Sequence, residues 1–362
     1  STPAIEDIEN LDKSDGGENL NLIFKIMKRG DKLASAIASG DEHELADMGL
    51  RYDLTLPLSR YYANNKNELP LPMKCIQMDR VYRAERPQKG RLREFVQCDI
   101  DIIGSSSITC EIELIQTTAN ALLNIGMKDF TVKLNDRRIL RAMLMQMGFA
   151  EESLDSVCIT FDKLDKIGVE GVKAELLEKE EPEAAVNALC EVLSGGALSL
   201  DKVEEILPGN EAVLSLKNIL TTATELAAGR YGIRFDLSLV RGQGYYTGTV
   251  FEVESNEFRG AIAGGGRYDN LIGKFTGEKV PAVGFSIGFE RIILLMMENG
   301  FQIPGQPKKI AYLIEKGVSG DRLCEVIAQA QEARKDGTQV LVARMNKNKK
   351  FQKEQLNKEG YQ

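Results

Sequence analysis

The stretch at residues 83–101 constrains the fold more than any other part of the chain. Residues 73–83 and 92–103 read as two antiparallel strands, joined by a loop that is long for a hairpin. Five cationic side chains surround the Pro and Gly of this loop, namely Arg83, Arg86, Lys89, Arg91 and Arg93. On a chain whose formal net charge is -8, such a basic turn predicts an anionic ligand, with a triphosphate as the leading candidate. A solvated charged hairpin is the alternative that this segment alone leaves open.

The composition is that of a globular protein with about two or three domains. The chain has 362 residues, of which 43% are hydrophobic and 28% are charged. No apolar run approaches the roughly 20 residues that a membrane-spanning helix needs, and the N-terminus lacks the pattern of a signal peptide. We therefore expect a cytoplasmic protein with no membrane partner. The acidic balance argues against wholesale binding to a polyanion but leaves room for a local basic surface.

Cysteine and histidine usage narrows the chemistry. The six cysteines are scattered without a C-x-x-C pair, and the one histidine, His43, lies in a polar run typical of a solvated turn. This pattern argues against a zinc site and against a disulfide framework. The chemistry is left to Arg, Lys, Asp, Glu, Gln and Tyr side chains and to a metal ion.

The chain alternates between strand-rich and helical segments. Strand patterns dominate the first part, short amphipathic helices broken by glycine and proline follow, and strands then resume. In the first part, Thr55 followed by Pro57 predicts a helix that Thr55 caps. Near the end, a strand-helix-strand pattern and a further helix predict a parallel α/β unit. The predicted division is a core in two parts around a helical insertion, then a partial second domain: 1–134, 135–227, 228–303 and 308–362.

Three distant segments carry the same kind of chemistry. The basic turn is a strand-turn-strand with arginines, and residues 284–291 form a glycine-rich strand that enters a helix carrying an arginine. In this order the two resemble motifs 2 and 3 of class II aminoacyl-tRNA synthetases. Between them, Arg-Gly-x-x-Tyr-Tyr-Thr-Gly-Thr-Val-Phe-Glu at 241–252 and Ala-Gly-Gly-Gly-Arg-Tyr-Asp at 263–269 resemble the histidyl-tRNA synthetase family. The resemblance covers essentially the whole chain.

The resemblance implies an α+β fold, with the antiparallel-sheet catalytic core of class II aminoacyl-tRNA synthetases, a helical insertion and a partial α/β anticodon-binding domain. It also implies the family's reaction, in which L-histidine and ATP form histidyl-adenylate and the histidyl group passes to the 3′ end of tRNA(His). Mg2+ should accompany the ATP, although the sequence does not identify its ligands. Residues 1–6 resemble the end of motif 1. We therefore expect a chain that lacks the motif 1 helix, and a homodimer for the full-length protein.

Each site residue is assigned from its position in these motifs. The resemblance implies that Arg83 contacts the α-phosphate and the substrate carboxylate, and that Arg241 is the catalytic arginine beside the α-phosphate. Guanidinium groups suit this task because they bind phosphate bidentately and stay protonated. The remaining contacts with ATP are assigned to Glu85, Arg91 and Arg291. The histidine contacts are Asp53, Thr55 and Gln97 for the α-amino group, and Asp101 and Tyr246 for the imidazole, with Tyr245 lining the pocket.

Three parts of this interpretation stay open. The basic stretch that includes Arg344, Lys349 and Lys350 matches the anticodon-binding region and its contacts with tRNA, yet a solvated lysine face is the alternative. Gln243 and Gly244 stand where the family usually has Leu-Asp, which leaves the pocket wall undetermined. The chain also resembles the histidine-sensing regulatory subunit of ATP phosphoribosyltransferase and, more weakly, the synthetase-like module of a stress kinase. Both ordinarily lack an intact Arg-Gly-x-x-Tyr-Tyr segment.

Overall fold

The computed structural model forms two compact units, Ser1–Leu295 and Met296–Gln362. The residues that it describes are 2–12, 21–87, 92–161, 163–195, 198–239, 245–301 and 305–362. The finer division of the chain into a two-part core, an insertion and a partial second domain stays a prediction. No helix in these ranges combines the length and the apolar character that crossing a bilayer requires.

The strands of the first unit belong to two sheets. In chain order they are β1 (Ile5–Asp7), β2 (Lys25–Met27), β3 (Ala46–Leu50), β4 (Met73–Tyr82), β5 (Glu94–Ile103), β6 (Phe130–Asp136), β7 (Gly232–Phe235), β8 (Thr249–Ser255), β9 (Phe258–Arg267) and β10 (Ala282–Gly288). Within the described residues, β1, β3 and β2 form a small antiparallel sheet. The others form the central sheet in the order β4-β5-β10-β9-β8-β6-β7, in which only β6 and β7 pair in parallel. The predicted α+β class is confirmed.

Helices cover the sheet and fill the segment between β6 and β7. Up to residue 298 they are α1 (Ile8–Leu11), α2 (Asp31–Ser39), α3 (Thr55–Asn65), α4 (Thr109–Asn124), α5 (Arg137–Met147), α6 (Leu154–Phe161), α7 (Leu164–Glu178), α8 (Glu183–Ser194), α9 (Leu200–Ile206), α10 (Glu211–Ala227), α11 (Gly273–Thr276) and α12 (Phe289–Glu298). Helices α4 and α10 pack on each other and on sheet strands, burying Leu114, Leu122 and Leu216. Helices α5 to α10 occupy the segment for which the sequence predicts a helical block.

The second unit is a small parallel α/β arrangement. It contains β11 (Lys309–Ile314), α13 (Gly320–Lys335), β12 (Gln339–Arg344) and α14 (Lys349–Lys358). Strands β11 and β12 pair in parallel, and α13 packs against both of them. This element order agrees with the strand-helix-strand-helix pattern of the sequence. Its role as part of an anticodon-binding domain stays a prediction.

Strand β5 lies between β4 and β10 and presents one polar face. Because successive side chains of a strand point to opposite faces, Gln97, Asp99 and Asp101 share a face of β5. On β10, Ser286 is opposite Asp99 and Gly284 is opposite Asp101. The hairpin therefore aligns three polar side chains along a single strand. Residues 88–91 of the basic turn, Arg91 among them, lie outside the described residues.

Asp53 caps helix α3. The helix begins at Thr55, and Asp53 Oδ1 accepts a hydrogen bond of 3.2 Å from the backbone nitrogen of Leu56. The prediction that Thr55 itself is the cap is therefore wrong, because Thr55 already lies in the first turn. An acid at this position is favourable, since the first backbone N–H groups of a helix have no partner within the helix. The cap fixes the position of the Asp53 carboxylate.

Arg267 of β9 and Glu111 of α4 form a bidentate ion pair inside the first unit. Arg267 Nε lies 2.6 Å from Glu111 Oε1, and Nη2 lies 2.7 Å from Oε2. The two side chains are only 8% and 2% exposed. The remaining nitrogen, Nη1, donates to the Ser105 carbonyl and to Asp269 Oδ1. Since buried charges must be paired and hydrogen-bonded, this pair holds α4 against the end of β9.

Replacing Glu111 by Gln should lower the free energy of unfolding by about 3 to 5 kcal/mol, because the buried Arg267 guanidinium loses its bidentate counter-charge and keeps only its contact with Asp269. Glu113→Gln is the matched control, since Glu113 lies on the same helix and its ion pair with Lys74 is exposed. That change should cost less than about 1 kcal/mol. Urea denaturation followed by circular dichroism measures both. Equal effects would mean that the buried pair does not stabilise the fold.

Candidate active site

A cleft of about 250 Å³ lies over strands β5, β9 and β10 of the first unit. The start of α3, the residues after β4 and the beginning of α12 complete its walls. Nine of the site residues predicted from the sequence line it: Asp53, Thr55, Arg83, Glu85, Gln97, Asp101, Tyr245, Tyr246 and Arg291. The fold therefore brings side chains from five separate segments of the chain into one place. Arg91 and Arg241 were also predicted here and lie outside the described residues.

One wall of the cleft is a row of buried acceptors on β5. Among the described residues, no hydrogen-bond donor reaches Gln97 Oε1, Asp99 Oδ1 or Asp101 Oδ2. These side chains alternate along one face of the strand, and all three line the cleft. A buried acceptor without a donor costs free energy, so this wall is suited to a ligand that carries several N–H groups.

Tyr268 holds the carboxylate of Asp101. Its hydroxyl donates to Asp101 Oδ1 at 2.6 Å, which leaves Oδ2 for another donor. Burial raises the pKa of Asp101 to about 7, the Tyr268 hydrogen bond lowers it, and the charge of Asp53 raises it further. Burial also raises the pKa of Tyr268 well above its ordinary value, so its hydroxyl stays a donor. Tyr268 belongs to the glycine-rich segment at 263–269, but it was not among the site residues predicted from the sequence.

Asp53 and Tyr245 form the wall beside helix α3. The hydroxyl of Tyr245 donates to Asp53 Oδ2 at 3.4 Å, and Asp53 Oδ1 accepts from the backbone of α3. Burial raises the pKa of Asp53, whereas the Leu56 hydrogen bond, the charge of Arg83 and the Tyr245 hydroxyl lower it. The rings of Tyr245 and Tyr246 meet edge to face, with centroids 4.9 Å apart. Both oxygens of Asp53 therefore already have donors.

Asp99 is a third buried acid in the cleft, and the sequence analysis did not identify it. Burial raises its pKa well above the ordinary value, and the charges of Asp101 and Asp53 add to this rise. A hydrogen bond with Ser286 and the charge of Arg83 act in the opposite direction. The Ser286 hydroxyl also accepts from Gln97 Nε2 at 3.3 Å. The strand alternation from Gln97 to Asp101 was a signal that could have identified Asp99 as a site residue.

The other end of the cleft carries cations. Arg83 Nε donates to the Tyr52 carbonyl at 3.0 Å, and its guanidinium lies 5.1 Å from the centroid of the Phe95 ring. A nitrogen of Arg291 donates to the Ala261 carbonyl. Glu290, which the sequence analysis did not single out, accepts from the backbone nitrogen of Val96 at 2.6 Å. These contacts orient two guanidinium groups that line the same cleft as the acids.

Glycines make the floor of the cleft. A Cβ atom on Gly284 would lie 2.1 Å from Asp101 Oδ1, and one on Gly265 would lie 2.0 Å from the Gly284 carbonyl oxygen. Any larger residue at Gly284 would therefore displace the Asp101 carboxylate. The glycines of β9 and β10 are required because the acid and the backbone approach so closely.

Comparison with known proteins identifies the family. A sequence profile described as histidyl-tRNA synthetase matches residues 1–292. The histidine–tRNA ligase of Leifsonia xyli subsp. xyli is 48% identical over 309 residues, which are 82% of this chain and 71% of that protein. The ligase of Christiangramia forsetii is 38% identical over 316 residues, or 83% of this chain and 69% of that protein. The chain belongs to the histidyl-tRNA synthetase family.

Solved structures agree with this membership. A histidyl-tRNA synthetase from Nostoc sp. PCC 7120 superposes with a TM-score of 0.70 at 26% identity, covering 99% of this chain and 81% of that one. A structure from Bacillus halodurans C, described as an ATP phosphoribosyltransferase regulatory subunit/histidyl-tRNA synthetase, superposes with a TM-score of 0.69 at 24% identity. The superposition covers 100% of this chain and 87% of that chain. At this identity the similarity supports a shared fold and nothing further. The predicted family and its class II core are confirmed.

The three remaining predicted residues of this synthetase-family chain lie in the second unit. Arg344 ends β12, while Lys349 and Lys350 begin α14, and all three are exposed. Lys349 Nζ lies 3.0 Å from Glu315 Oε1 in an exposed ion pair. Among the described residues, no group of three or more His, Cys, Asp or Glu side chains is arranged to hold a metal ion.

The raised pKa of Asp101 gives a test of its burial through the pH dependence of stability. Between about pH 4 and pH 7 the folded state retains a proton that the unfolded state has released, so this group's contribution to stability falls as the pH rises. Asp101→Asn removes that dependence. Between pH 4 and pH 8, the wild-type protein should lose up to about 4 kcal/mol of unfolding free energy relative to the variant. If the unfolding free energies of the wild-type protein and the variant, measured by urea denaturation, changed equally with pH across this range, Asp101 would be ionised throughout.

Proposed function

We propose that this chain activates L-histidine with ATP to form histidyl-adenylate and then transfers the histidyl group to the 3′ end of tRNA(His). The observation that carries the proposal is the juxtaposition in one cleft of a row of buried acceptors and a pair of oriented guanidinium groups. The acceptors suit the ammonium and the imidazole of histidine. The guanidinium groups suit a carboxylate and a triphosphate. Membership of the histidyl-tRNA synthetase family supports this substrate pair.

Within this proposal, Asp101 reads the imidazole. Tyr268 occupies Asp101 Oδ1, so the ring N–H of the substrate donates to Oδ2. Tyr246 completes the ring site. At the other end of the amino acid, Asp53, Thr55 and Gln97 face the α-ammonium, and Arg83 binds the α-carboxylate. Substrates without a ring N–H leave Asp101 Oδ2 without a donor and are discriminated against on that ground.

In the first step, an oxygen of the histidine carboxylate attacks the α-phosphorus of ATP. The bond from that phosphorus to the bridging oxygen of the β-phosphate breaks, and pyrophosphate leaves with the electron pair. No proton moves, so the step requires charge stabilisation rather than a base. Arg83 and Arg241 stabilise the charge on the α-phosphate, whereas Arg91, Glu85 and Arg291 contact the rest of the nucleotide. In the second step, a terminal ribose hydroxyl of tRNA attacks the carbonyl carbon. The bond from that carbon to the phosphate oxygen breaks, AMP leaves with the electron pair, and the hydroxyl proton passes to the solvent.

Two carboxylates at the end of the cleft that carries Arg83 and Arg291 suit the binding of Mg2+. Glu85 and Glu290 line the cleft there, and Mg2+ is commonly bound by one or two carboxylates together with substrate phosphates. We propose that these two side chains hold it. When bound, the ion neutralises charge on the triphosphate. We also propose a cytoplasmic location and, for the full-length protein, a homodimer, as the family resemblance implies.

Exchange of pyrophosphate into ATP tests the proposed reaction, and it should require histidine. Arg241→Ala should slow adenylate formation by ~100-fold or more, as for removal of an oxyanion-type donor, and Arg241→Lys should recover only part of the loss. Arg234→Ala is the control, because that arginine is exposed on β7 and pairs with Glu254. The measurement is the pre-steady-state rate at saturating ATP and histidine. Histidine binding without exchange would favour the regulatory-subunit alternative, and a rate within about threefold for Arg241→Ala would make Arg241 structural.

For tRNA, we propose that the exposed basic stretch of residues 344–353 contacts phosphates. Neutralising Lys349 and Lys350 together should weaken tRNA binding and reduce the salt dependence of log K by about two units of slope. Arg322→Ala combined with Lys335→Ala is the matched control, since both side chains are exposed on α13. Filter binding across a salt series measures the slopes. If the two double variants give the same slope as the parent, the stretch is a solvated face.

A further inference from the structure

We infer that Asp99 is a further substrate-binding residue of this site, whose carboxylate accepts a hydrogen bond from the α-ammonium group of the amino-acid substrate. The inference rests on the proposed function, because it assigns a further contact within the same cleft. The family resemblance assigns the ammonium to Asp53, Thr55 and Gln97 and gives Asp99 no role. Three observations point to Asp99.

The first observation is the distribution of free acceptors. Both oxygens of Asp53 have donors, from the backbone of Leu56 and from the Tyr245 hydroxyl. Asp99 is 3% exposed, lines the cleft, and has an oxygen, Oδ1, that no donor among the described residues reaches. An ammonium group has three N–H donors and gains most from acceptors that are otherwise unsatisfied. Asp99 offers such an acceptor, whereas Asp53 is held as the cap of α3.

The second observation is the position of Asp99 along the strand. It lies between Gln97, whose Oε1 also has no described donor, and Asp101, whose partner is Tyr268. Ser286 on β10 links the first two of these residues, because it contacts both the Gln97 amide and Asp99. We therefore place Asp99 with Gln97 on the side of the cleft that binds the α-amino group. Asp101 binds the imidazole ring.

The third observation is the pattern of charge. Arg83, the arginine assigned to the substrate carboxylate, acts electrostatically on Asp99 and on Asp53. The ammonium and carboxylate of an amino acid share one carbon atom, so the acid that binds the former must lie near the cation that binds the latter. The charge that acts on Asp101 comes from Asp53. Of the three buried acids in the cleft, Asp53 and Asp99 are thus the two on which the charge of Arg83 acts.

The charged groups around Asp99 also make the affinity for an ammonium ligand depend on pH. Asp101 on the same strand and Asp53 at the start of α3 raise its pKa beyond the effect of burial, and Arg83 and the Ser286 hydroxyl lower it. The thiols of Cys75 on β4 and Cys98 on β5 are buried enough that their pKa values are raised, so they stay neutral. Because its pKa is raised, the unliganded Asp99 carboxyl group holds a proton more readily than an ordinary carboxyl group does. An incoming ammonium favours the ionised carboxylate, and the proton passes to the solvent.

Two ligands and two variants test the inference by calorimetry. L-Histidine is compared with 3-(imidazol-4-yl)propionate, which has the same ring and carboxylate but no ammonium. Asp99→Asn should weaken binding of histidine by about tenfold or more and binding of the analogue by less than about threefold. Asp101→Asn should weaken both ligands by similar factors, since both carry the ring. If Asp99→Asn weakens both ligands alike, or neither, Asp99 does not contact the ammonium.

A second measurement uses the unmodified protein and so does not depend on the folding of a variant. Titrations near pH 7 in buffers with different ionisation enthalpies count the protons released on binding. Histidine should release more protons than the analogue, because only histidine brings an ammonium to Asp99. Equal release by both ligands would overturn the inference. Failure of the wild-type protein to bind histidine at all would instead refute the proposed function, so the two failures are distinguishable.

Discussion

The close approach of β5, β9 and β10 is the constraint on which the site depends. Where these strands meet, the space that a side chain would occupy is filled by the Asp101 carboxylate beside Gly284 and by backbone beside Gly265. Because of this packing, the Asp101 side chain on β5 is buried within the cleft and does not reach the protein surface. The pairing of β5 with β10 places Ser286 opposite Asp99 in the same way. The cleft therefore depends on the glycines at positions 265 and 284 as much as on the polar side chains that line it.

Burying several acids together carries a cost that a cationic ligand offsets. Asp53, Asp99 and Asp101 all have raised pKa values, chiefly from burial. The charges of Asp101 and Asp53 raise the pKa of Asp99 further, and the charge of Asp53 raises that of Asp101. Arg83 acts against this at one end of the group. An amino acid with an ammonium and a ring N–H supplies the donors that these oxygens lack. In the proposed function, the electrostatic arrangement that destabilises the unliganded cleft also favours histidine over an amino acid with an apolar side chain.

The sequence analysis predicted those features that short stretches of chain encode. The alternating pattern from Gln97 to Asp101 and the basic turn before it specify a hairpin with one polar face, and β4 and β5 have that form. The family motifs then predicted nine residues that line one cleft. The cap of α3 was assigned to Thr55 instead of Asp53 because a single sequence does not fix a helix start to within a residue. The contact between Tyr268 and Asp101 joins residues far apart in the chain, and no local pattern specifies such a pair.

A crystal structure of the protein with bound L-histidine tests the division of the cleft most directly. The proposed division predicts a ring N–H of the ligand within hydrogen-bond distance of Asp101 Oδ2. It also predicts the α-ammonium within that distance of an Asp99 oxygen, with the α-carboxylate facing Arg83. A ligand in the reverse orientation, with its ammonium on Asp101 and its ring toward Arg83, would contradict the assignment of both ends of the site.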